Sequence, residues 1–219
     1  MNGFFVTGTD TEIGKTYVTC MLIRHLASEG HKVAGLKPIA SGCEETPMGL
    51  RNADALAIAE SSNLGGIAYS LINRYNFKPA IAPHIAAEQA GEEIAFDLIC
   101  EDAQNVSMYT DYLFVEGAGG WQVPLGKDGY ISDLAAKLEL PVILVVGIKL
   151  GCINHALLTA ENIQQRGLKL AGWVANRCDP ETAASKENIE TLKQGINAPL
   201  IAEIEFDQAD LKPEFNFWN

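Results

Sequence analysis

The segment that most constrains this chain is a loop with the sequence GTDTEIGKT at residues 8–16. It follows the apolar run 4–7, which has the composition of a buried strand, and precedes residues 17–26, where apolar side chains recur at helical spacing. A strand, a tight loop that ends in Gly-Lys-Thr and a helix form a phosphate-binding unit. The free N–H groups of the loop and of the helix N-terminus converge on one point, which suits a polyphosphate.

Two side chains at the end of this loop suit a nucleoside triphosphate. The ammonium of Lys15 would neutralise the β- and γ-phosphates, and the hydroxyl of Thr16 would bind Mg²⁺. Five residues, rather than the usual four, separate Gly8 from Gly14, so that Thr9 stands where the first glycine is expected. The alternative is an ordinary loop with a capping threonine and a surface lysine. The strand and helix patterns on either side favour the phosphate-binding interpretation.

Apolar runs with strand composition alternate with helical patterns along the rest of the chain. Strands that are buried on both faces and alternate with helices predict a doubly wound, mostly parallel α/β sheet of the P-loop NTPase type, in a single domain over residues 1–219. Residues 65–66 and 73–83 interrupt the alternation, and we expect this region to form an insertion over the site. Strands are predicted at 4–7, 33–36, 112–115, 142–146, 171–174 and 200–204, and helices at 15–29, 53–61, 83–89, 96–104, 132–138, 154–166 and 180–194.

Composition argues against several classes of function. The net charge is −12, and sequence-independent binding of DNA or RNA needs a basic face, so we expect no nucleic-acid partner. No apolar run approaches the roughly 20 residues of a membrane-spanning helix, so we expect no membrane partner. The five cysteines form no C-x-x-C pair, which indicates free thiols, and the chain leads directly into its first strand. Both features predict a cytoplasmic protein.

Charged side chains stand at the ends of two further predicted strands. Lys37 and Glu116 each follow an apolar run, and Glu116 precedes a glycine-rich turn. The carboxyl ends of parallel strands meet at one edge of a sheet, where ligands bind, and a carboxylate there suits Mg²⁺. A strand-end lysine that reaches solvent is an equally good interpretation of Lys37 from spacing alone. Ser41, in a loop, and Asp54, at a helix N-terminus, are weaker candidates by themselves.

Two polar turns complete the set of candidates. Residues 151–154 follow a strand and open a helix, whose free N–H groups could bind an anion such as a carboxylate. Ordinary helix capping by Asn154 explains the same residues and is the favoured interpretation from the sequence alone. Asn176 ends another strand and has the donor and acceptor groups that suit the edge of a base, although turn chemistry also supplies an asparagine at such positions.

Together these segments resemble the dethiobiotin synthetase family. The resemblance runs in chain order through residues 8–16, 37–42, 83–84, 116–120, 151–155 and 175–176, and so spans nearly the whole chain. The longer spacing between the loop glycines is a feature of that family. The resemblance implies an ATP-dependent ligase of biotin biosynthesis. Such an enzyme joins CO₂ to 7,8-diaminononanoate (diaminopelargonate) and closes the ring of dethiobiotin, through a carbamate and a carbamic–phosphoric anhydride, with release of ADP and phosphate.

The resemblance also implies roles for individual residues. Lys37 and Lys15 would be catalytic, and Thr16, Asp54 and Glu116 would bind Mg²⁺. The family is a homodimer in which the substrate carboxylate is bound across the interface. The implied substrate-binding residues are Thr11, Ser41, Gly151, Cys152, Ile153 and Asn154. The implied ATP-binding residues are Glu12, Ile13, Gly14, Lys15, Thr16, Tyr17, Asp54, Glu116, Gly117, Ala118, Gly119, Asn176, Arg177, Glu205, Phe206 and Asp207.

Two departures from related patterns bear on function. Glu205 stands where the family usually has a proline, near the expected position of adenine. The alternative function, a partner-regulated switch ATPase of the same superfamily, predicts a second lysine near the start of the phosphate loop and a basic or amphipathic surface element. This chain has Thr9 and Asp10 at that point of the loop, so ATP-dependent ring closure is the better-supported prediction.

Overall fold

The computed structural model describes residues 1–180 and 182–206. Its strands are β1 (Gly3–Gly8), β2 (Val33–Leu36), β3 (Ile39–Ser41), β4 (Glu44–Thr46), β5 (Gly49–Arg51), β6 (Tyr75–Phe77), β7 (Tyr112–Glu116), β8 (Pro124–Gly126), β9 (Gly129–Tyr130), β10 (Val142–Gly147), β11 (Leu170–Asn176) and β12 (Leu200–Ile204). Its helices are α1 (Lys15–Ser28), α2 (Ala53–Ser61), α3 (Tyr69–Ile72), α4 (Pro83–Ala90), α5 (Phe96–Ser107), α6 (Ile131–Leu138), α7 (Cys152–Gln165) and α8 (Ser185–Gly195). No helix in these ranges has the length and apolar character needed to cross a membrane.

The main sheet contains six strands in the order β12-β11-β10-β1-β7-β2, and every neighbouring pair is parallel. Strand β1 lies near the centre, with Phe5 opposite Val142 on one side and Val115 on the other. The prediction of a doubly wound parallel α/β sheet is confirmed. Because the strands share one direction, the segments that follow β1, β2 and β7 meet at the same edge of the sheet.

Apolar side chains cover both faces of this sheet. Successive residues of a strand point to opposite faces, so Phe5 belongs to one hydrophobic cluster and Val6 to the other. Helices α1 and α2 cover the Val6 face, for example through Leu22 and Ile58. Helices α5, α6, α7 and α8 contribute to the opposite cluster. The two layers pack on the sheet, and the loops that carry the polar residues extend from its edge.

The six predicted strands all lie in the main sheet. The predicted helices are all present; α2 has the predicted bounds, and each of the others has at least one shifted end. The largest error is at α8, which begins at Ser185 and not at residue 180. Ala184 has a positive φ of 55°, a left-handed conformation that a helix cannot pass through. Helix α7 begins at Cys152, two residues before its predicted start. The single-domain assignment stays a prediction.

The region expected to form an insertion packs directly onto the end of β2. Its short helix α3 and strand β6 lie next to the segment that carries Lys37. The amide of Lys37 donates to the carbonyl of Ile72 at 2.9 Å, and the amide of Tyr75 donates to the carbonyl of Pro38 at 2.8 Å. These bonds fix the backbone around Lys37. Strands of three residues are too short to show a periodic pattern, which is why β3 and β6 were not predicted.

Candidate active site

The phosphate loop joins β1 to α1 and turns sharply at its last glycine. Gly14 has φ 78° and ψ 28°, and a Cβ at this position would lie 2.3 Å from Nδ2 of Asn176. Only glycine fits both the left-handed conformation and the close approach. Asn176, at the end of β11, donates from Nδ2 to the carbonyl of Ile13 at 2.9 Å. The asparagine therefore ties the loop to the neighbouring strand end.

Lys15 is the cation of this loop. Its side chain is buried, and Nζ donates to the carbonyl of Asp10 at 2.8 Å. Burial, followed by repulsion from Lys37, lowers the pKa of Lys15 to about 8, although Glu116 and other carboxylates act in the opposite sense. The ammonium is thus poorly solvated and, among the residues that the structure describes, has no carboxylate in direct contact, which leaves it available for an anionic ligand.

A second cation, Lys37, lies between two carboxylates at the same sheet edge. Its Nζ is 2.6 Å from Oε1 of Glu116 and 3.0 Å from Oδ2 of Asp54. Burial alone would lower the pKa of Lys37, but attraction to these two carboxylates outweighs it and raises the pKa. Lys37 therefore keeps its charge, and the interpretation of it as a strand-end lysine that reaches solvent is wrong, since its side chain is only 7% exposed.

Glu116, at the end of β7, is the acceptor at the centre of this cluster. It is 1% exposed, and Oε1 accepts from the hydroxyl of Thr16 at 2.7 Å as well as from Lys37. The other oxygen, Oε2, accepts from the hydroxyl of Thr19 at 2.7 Å. Thr19 was not among the predicted residues. Its position on α1, four residues after Lys15 and three after Thr16, places all three on one helix face, and this spacing was the available signal.

The oxygens around Lys37 fit a divalent cation. Thr16, Asp54 and Glu116 supply one hydroxyl and two carboxylates, the hard ligands that Mg²⁺ takes in small numbers beside water and phosphate. The space between the two carboxylates already accommodates a positive charge, that of Lys37. Within the described part of the chain, no cluster of three or more His, Cys, Asp or Glu side chains is placed to hold a metal. Such a site would need oxygens from the phosphates.

Two neighbouring cavities open along the phosphate loop and share Glu12, Gly14 and Tyr17. The larger, of about 370 Å³, is lined by Thr11, Glu12, Gly14, Lys15, Thr16, Tyr17, Lys37, Asp54 and Gly119. The smaller, of about 250 Å³, is lined by Glu12, Gly14, Tyr17, Asn176, Arg177, Cys178, Glu205 and Phe206. A charged cavity that continues into a second one at Asn176 has the layout that a nucleotide needs, with its phosphates in the first and its base in the second.

The wall of the smaller cavity contains an ion-pair cluster. Arg177 lies 3.3 Å from Glu205 and 3.8 Å from Glu203. Glu205 therefore balances the charge of Arg177 at this wall. Phe206 is half exposed beside it. Asp207 lies outside the described residues.

Several predicted site residues are not among those that line the two cavities. Ile13 and Ala118 have buried side chains, and Gly117 approaches Phe5 closely, so these positions offer mainly backbone atoms. Ser41 has a buried hydroxyl without a hydrogen-bond partner among the described residues. Residues 151–154 line neither cavity.

The start of α7 is nevertheless connected to the phosphate loop. Lys149, just before the helix, lies 3.0 Å from Oδ2 of Asp10 in the loop. Gly151 has φ 90° and is exposed, while Cys152 is buried. Leu150 is 99% exposed. The start of α7 is therefore partly exposed and borders neither of the two cavities.

Comparison with known proteins identifies close relatives. A family model described as an AAA domain matches residues 2–214. The ATP-dependent dethiobiotin synthetase BioD of Pseudomonas paraeruginosa (strain DSM 24068 / PA7) is 51% identical over 205 residues, which cover 93% of this chain and 90% of that protein. The ATP-dependent dethiobiotin synthetase BioD 1 of Escherichia coli (strain K12) is 47% identical over 201 residues, which cover 92% of this chain and 89% of that protein.

Solved structures show the same fold at low identity. The signal recognition particle receptor FtsY from Elizabethkingia anophelis, in complex with GDP, has a TM-score of 0.58 at 18% identity, over 99% of this chain and 60% of that chain. A ParA family ATPase from Chlorobium tepidum TLS has a TM-score of 0.57 at 13% identity, over 95% of this chain and 86% of that chain. These likenesses bear on the fold alone. The sequence relatives decide the family, and the chain belongs to the ATP-dependent dethiobiotin synthetases.

Proposed function

We propose that this chain catalyses the ATP-dependent carboxylation and ring closure of 7,8-diaminononanoate with CO₂ to give dethiobiotin, ADP and phosphate, a step of biotin biosynthesis. The observation that carries the proposal is the buried pair of cations, Lys15 and Lys37, that line the larger cavity at the phosphate loop. A reaction between two anions, a carbamate and a γ-phosphate, needs positive charge at the point where they meet.

In this proposal the reaction has three steps. One amine of the substrate captures CO₂ as a carbamate and releases a proton. A carbamate oxygen then attacks the γ-phosphorus, and the bond from that phosphorus to the bridging oxygen of ADP breaks. The second amine attacks the carbonyl carbon of the resulting carbamic–phosphoric anhydride, phosphate leaves as the ring closes, and the phosphate takes up the proton that the attacking nitrogen loses. Lys37 contacts the carbamate and the γ-phosphate, and Lys15 contacts the β- and γ-phosphates, so both reduce the repulsion in the phosphoryl-transfer step.

Mg²⁺ is the proposed metal, and Thr16, Asp54 and Glu116 would hold it. Bound with ATP, the ion supplies further positive charge to the phosphates. ATP itself is the proposed cosubstrate. Its phosphates occupy the larger cavity against the backbone of Gly14 and the segment 117–119, and its base occupies the smaller cavity beside Asn176, Arg177, Glu205 and Phe206, with Asp207 as a further candidate contact.

The diamine substrate is proposed to bind at Thr11 and Ser41, with its carboxylate at the N-terminus of α7 of a second subunit. Support comes from the start of α7, where Gly151 and Asn154 are exposed and the free N–H groups suit a carboxylate. This arrangement requires a homodimer. A cytoplasmic location is also proposed, since the five cysteines are all free thiols and the reaction consumes ATP.

The direct test measures phosphate release from Mg-ATP and bicarbonate, with and without the diamine, together with mass detection of dethiobiotin. Phosphate and dethiobiotin should appear together and only with the diamine. Lys37→Ala should still bind ATP but lose about 10³-fold in turnover, because a charge contact made in the transition state is missing. Steady hydrolysis that ignores the diamine would contradict the proposal and favour a switch ATPase.

A further inference from the structure

Thr19 is a buried polar residue to which the proposed reaction assigns no role. It lies on α1, is 0% exposed, and its hydroxyl oxygen is 2.7 Å from Oε2 of Glu116 and 2.9 Å from the carbonyl oxygen of Lys15. A hydroxyl has a single hydrogen, so it cannot satisfy both acceptors fully at once.

The charged acceptor receives this hydrogen. A hydrogen bond to a carboxylate is shorter and about twice as strong as one to a neutral carbonyl, and the distance to Glu116 is the shorter of the two. The carbonyl of Lys15, inside α1, is also the regular acceptor for the backbone N–H four residues later. It therefore loses little when the hydroxyl of Thr19 turns to Glu116.

This bond controls the direction of the Glu116 carboxylate. Oε2 is bound to Thr19, while Oε1 accepts from Thr16 and Lys37, two residues that line the larger cavity. The last torsion of a glutamate side chain is soft, so a carboxylate held from one side only can rotate. We infer that Thr19 is a positioning residue, which fixes Glu116 so that Oε1 is directed at the divalent cation held with the ATP phosphates. The inference rests on the proposed role of Glu116 as a metal ligand.

The chain offers a matched control in Thr7. Thr7 lies on β1, is 0% exposed like Thr19, and its hydroxyl has no hydrogen-bond partner among the described residues. Thr→Val is nearly isosteric, so the same substitution removes a hydroxyl at both sites. Only at position 19 does it also remove a donor to Glu116. Thr19→Ser keeps that donor and changes only the methyl group.

The experiment measures binding of Mn²⁺, as a probe for the divalent site, to protein saturated with a non-hydrolysable ATP analogue. Free Mn²⁺ is followed by electron paramagnetic resonance. Thr19→Val should weaken Mn²⁺ binding by about 10–100-fold, the usual effect of losing a residue that orients a metal ligand. Thr19→Ser and Thr7→Val should stay within about threefold of wild type, and the analogue without metal should bind Thr19→Val as it binds wild type.

Two results would overturn the inference. One is Mn²⁺ binding by Thr19→Val equal to that of wild type. The other is a fall in metal affinity, in metal-free nucleotide affinity and in thermal stability together in Thr19→Val. A general loss of structure would explain such a pattern. None of these measurements depends on the formation of dethiobiotin. Failure of the inference is therefore distinguishable from failure of the wild-type protein to make dethiobiotin.

Discussion

At the scale of single residues, the site depends on which groups contact its two lysines. Lys37 lies between two carboxylates, whereas Lys15 donates to a backbone carbonyl. The pKa of Lys37 is raised and that of Lys15 is lowered to about 8. The two cations therefore respond differently to pH and to an arriving ligand.

Affinity for ATP should fall as the pH rises through about 8. In the free protein Lys15 loses its proton in this range, and a neutral amine attracts phosphates less strongly than an ammonium. The phosphates of ATP are already ionised there, since the second pKa of a phosphate group is about 6. Binding above pH 8 should be accompanied by proton uptake, which calorimetry in buffers of different ionisation enthalpy measures. Constant affinity for ATP up to pH 9.5 would contradict this role of Lys15. Lys15→Met is the control, because methionine has no group that titrates.

Removing Lys37 should make the carboxylate pair a better cation site. Without its ammonium, Glu116 and Asp54 lose the positive charge that now lies between them. We expect Lys37→Met to bind Mn²⁺ in the absence of nucleotide at least about tenfold more tightly than wild type, or about 1.4 kcal/mol. Lys127→Met, which removes an exposed surface pair with Glu93, is the matched control. No gain over wild type would show that Lys37 and a divalent cation do not compete for these oxygens.

At the scale of elements, the site is built where β1, β2 and β7 end side by side. Their apolar runs were long enough to predict from the sequence, and Lys37 and Glu116 could be placed at this edge because parallel strands end together. Other features depend on contacts between segments distant in the chain. Strands β3 and β6 are too short for a pattern, the start of α8 depends on the left-handed Ala184, and Thr19 acquires its role only through Glu116.

Gly14→Ala should lower stability more than Gly30→Ala does. Both glycines have positive φ, but a Cβ at Gly30 would meet nothing within 4 Å, whereas one at Gly14 would lie 2.3 Å from Asn176. Gly30→Ala should cost about 1 kcal/mol from backbone strain alone. Gly14→Ala should cost more, and truncation of Asn176 to alanine in the same chain should recover part of the difference. Urea unfolding measures the free energies of unfolding of the two single variants and of the double variant, relative to wild type. Equal costs for the two single variants would disprove the steric account.

At the scale of the whole molecule, the proposed site needs two subunits. The cavities belong to one chain, while residues 151–154 line neither of them, and Gly151 and Asn154 are exposed. The sequence alone could not predict whether a ligand binds at residues 151–154, because a helix N-terminus with exposed N–H groups has the same sequence pattern in either case. The proposed interface rests on the resemblance to the family, and a functional test can examine it.

Mixing two inactive variants should restore activity. Lys37→Met disables the cavity, and Asn154→Glu places a negative charge where the substrate carboxylate is proposed to bind. In a two-fold symmetric dimer with sites shared between subunits, each mixed dimer has one intact site, so random mixing should recover about a quarter of wild-type activity. Each variant alone should stay inactive. Absence of any recovery after verified subunit exchange would place both residues in the same subunit's site.

The central claim is that a carbamate oxygen, rather than water, attacks the γ-phosphate. The most direct measurement supplies ¹⁸O-labelled CO₂ in unlabelled water, with Mg-ATP and the diamine, and quenches the reaction within seconds, before the label exchanges with solvent. Dethiobiotin and phosphate should form in equal amounts, and each phosphate should carry one ¹⁸O atom from CO₂. Unlabelled phosphate, formed with or without the diamine, would contradict the account, because water would then be the nucleophile and the chain a hydrolase.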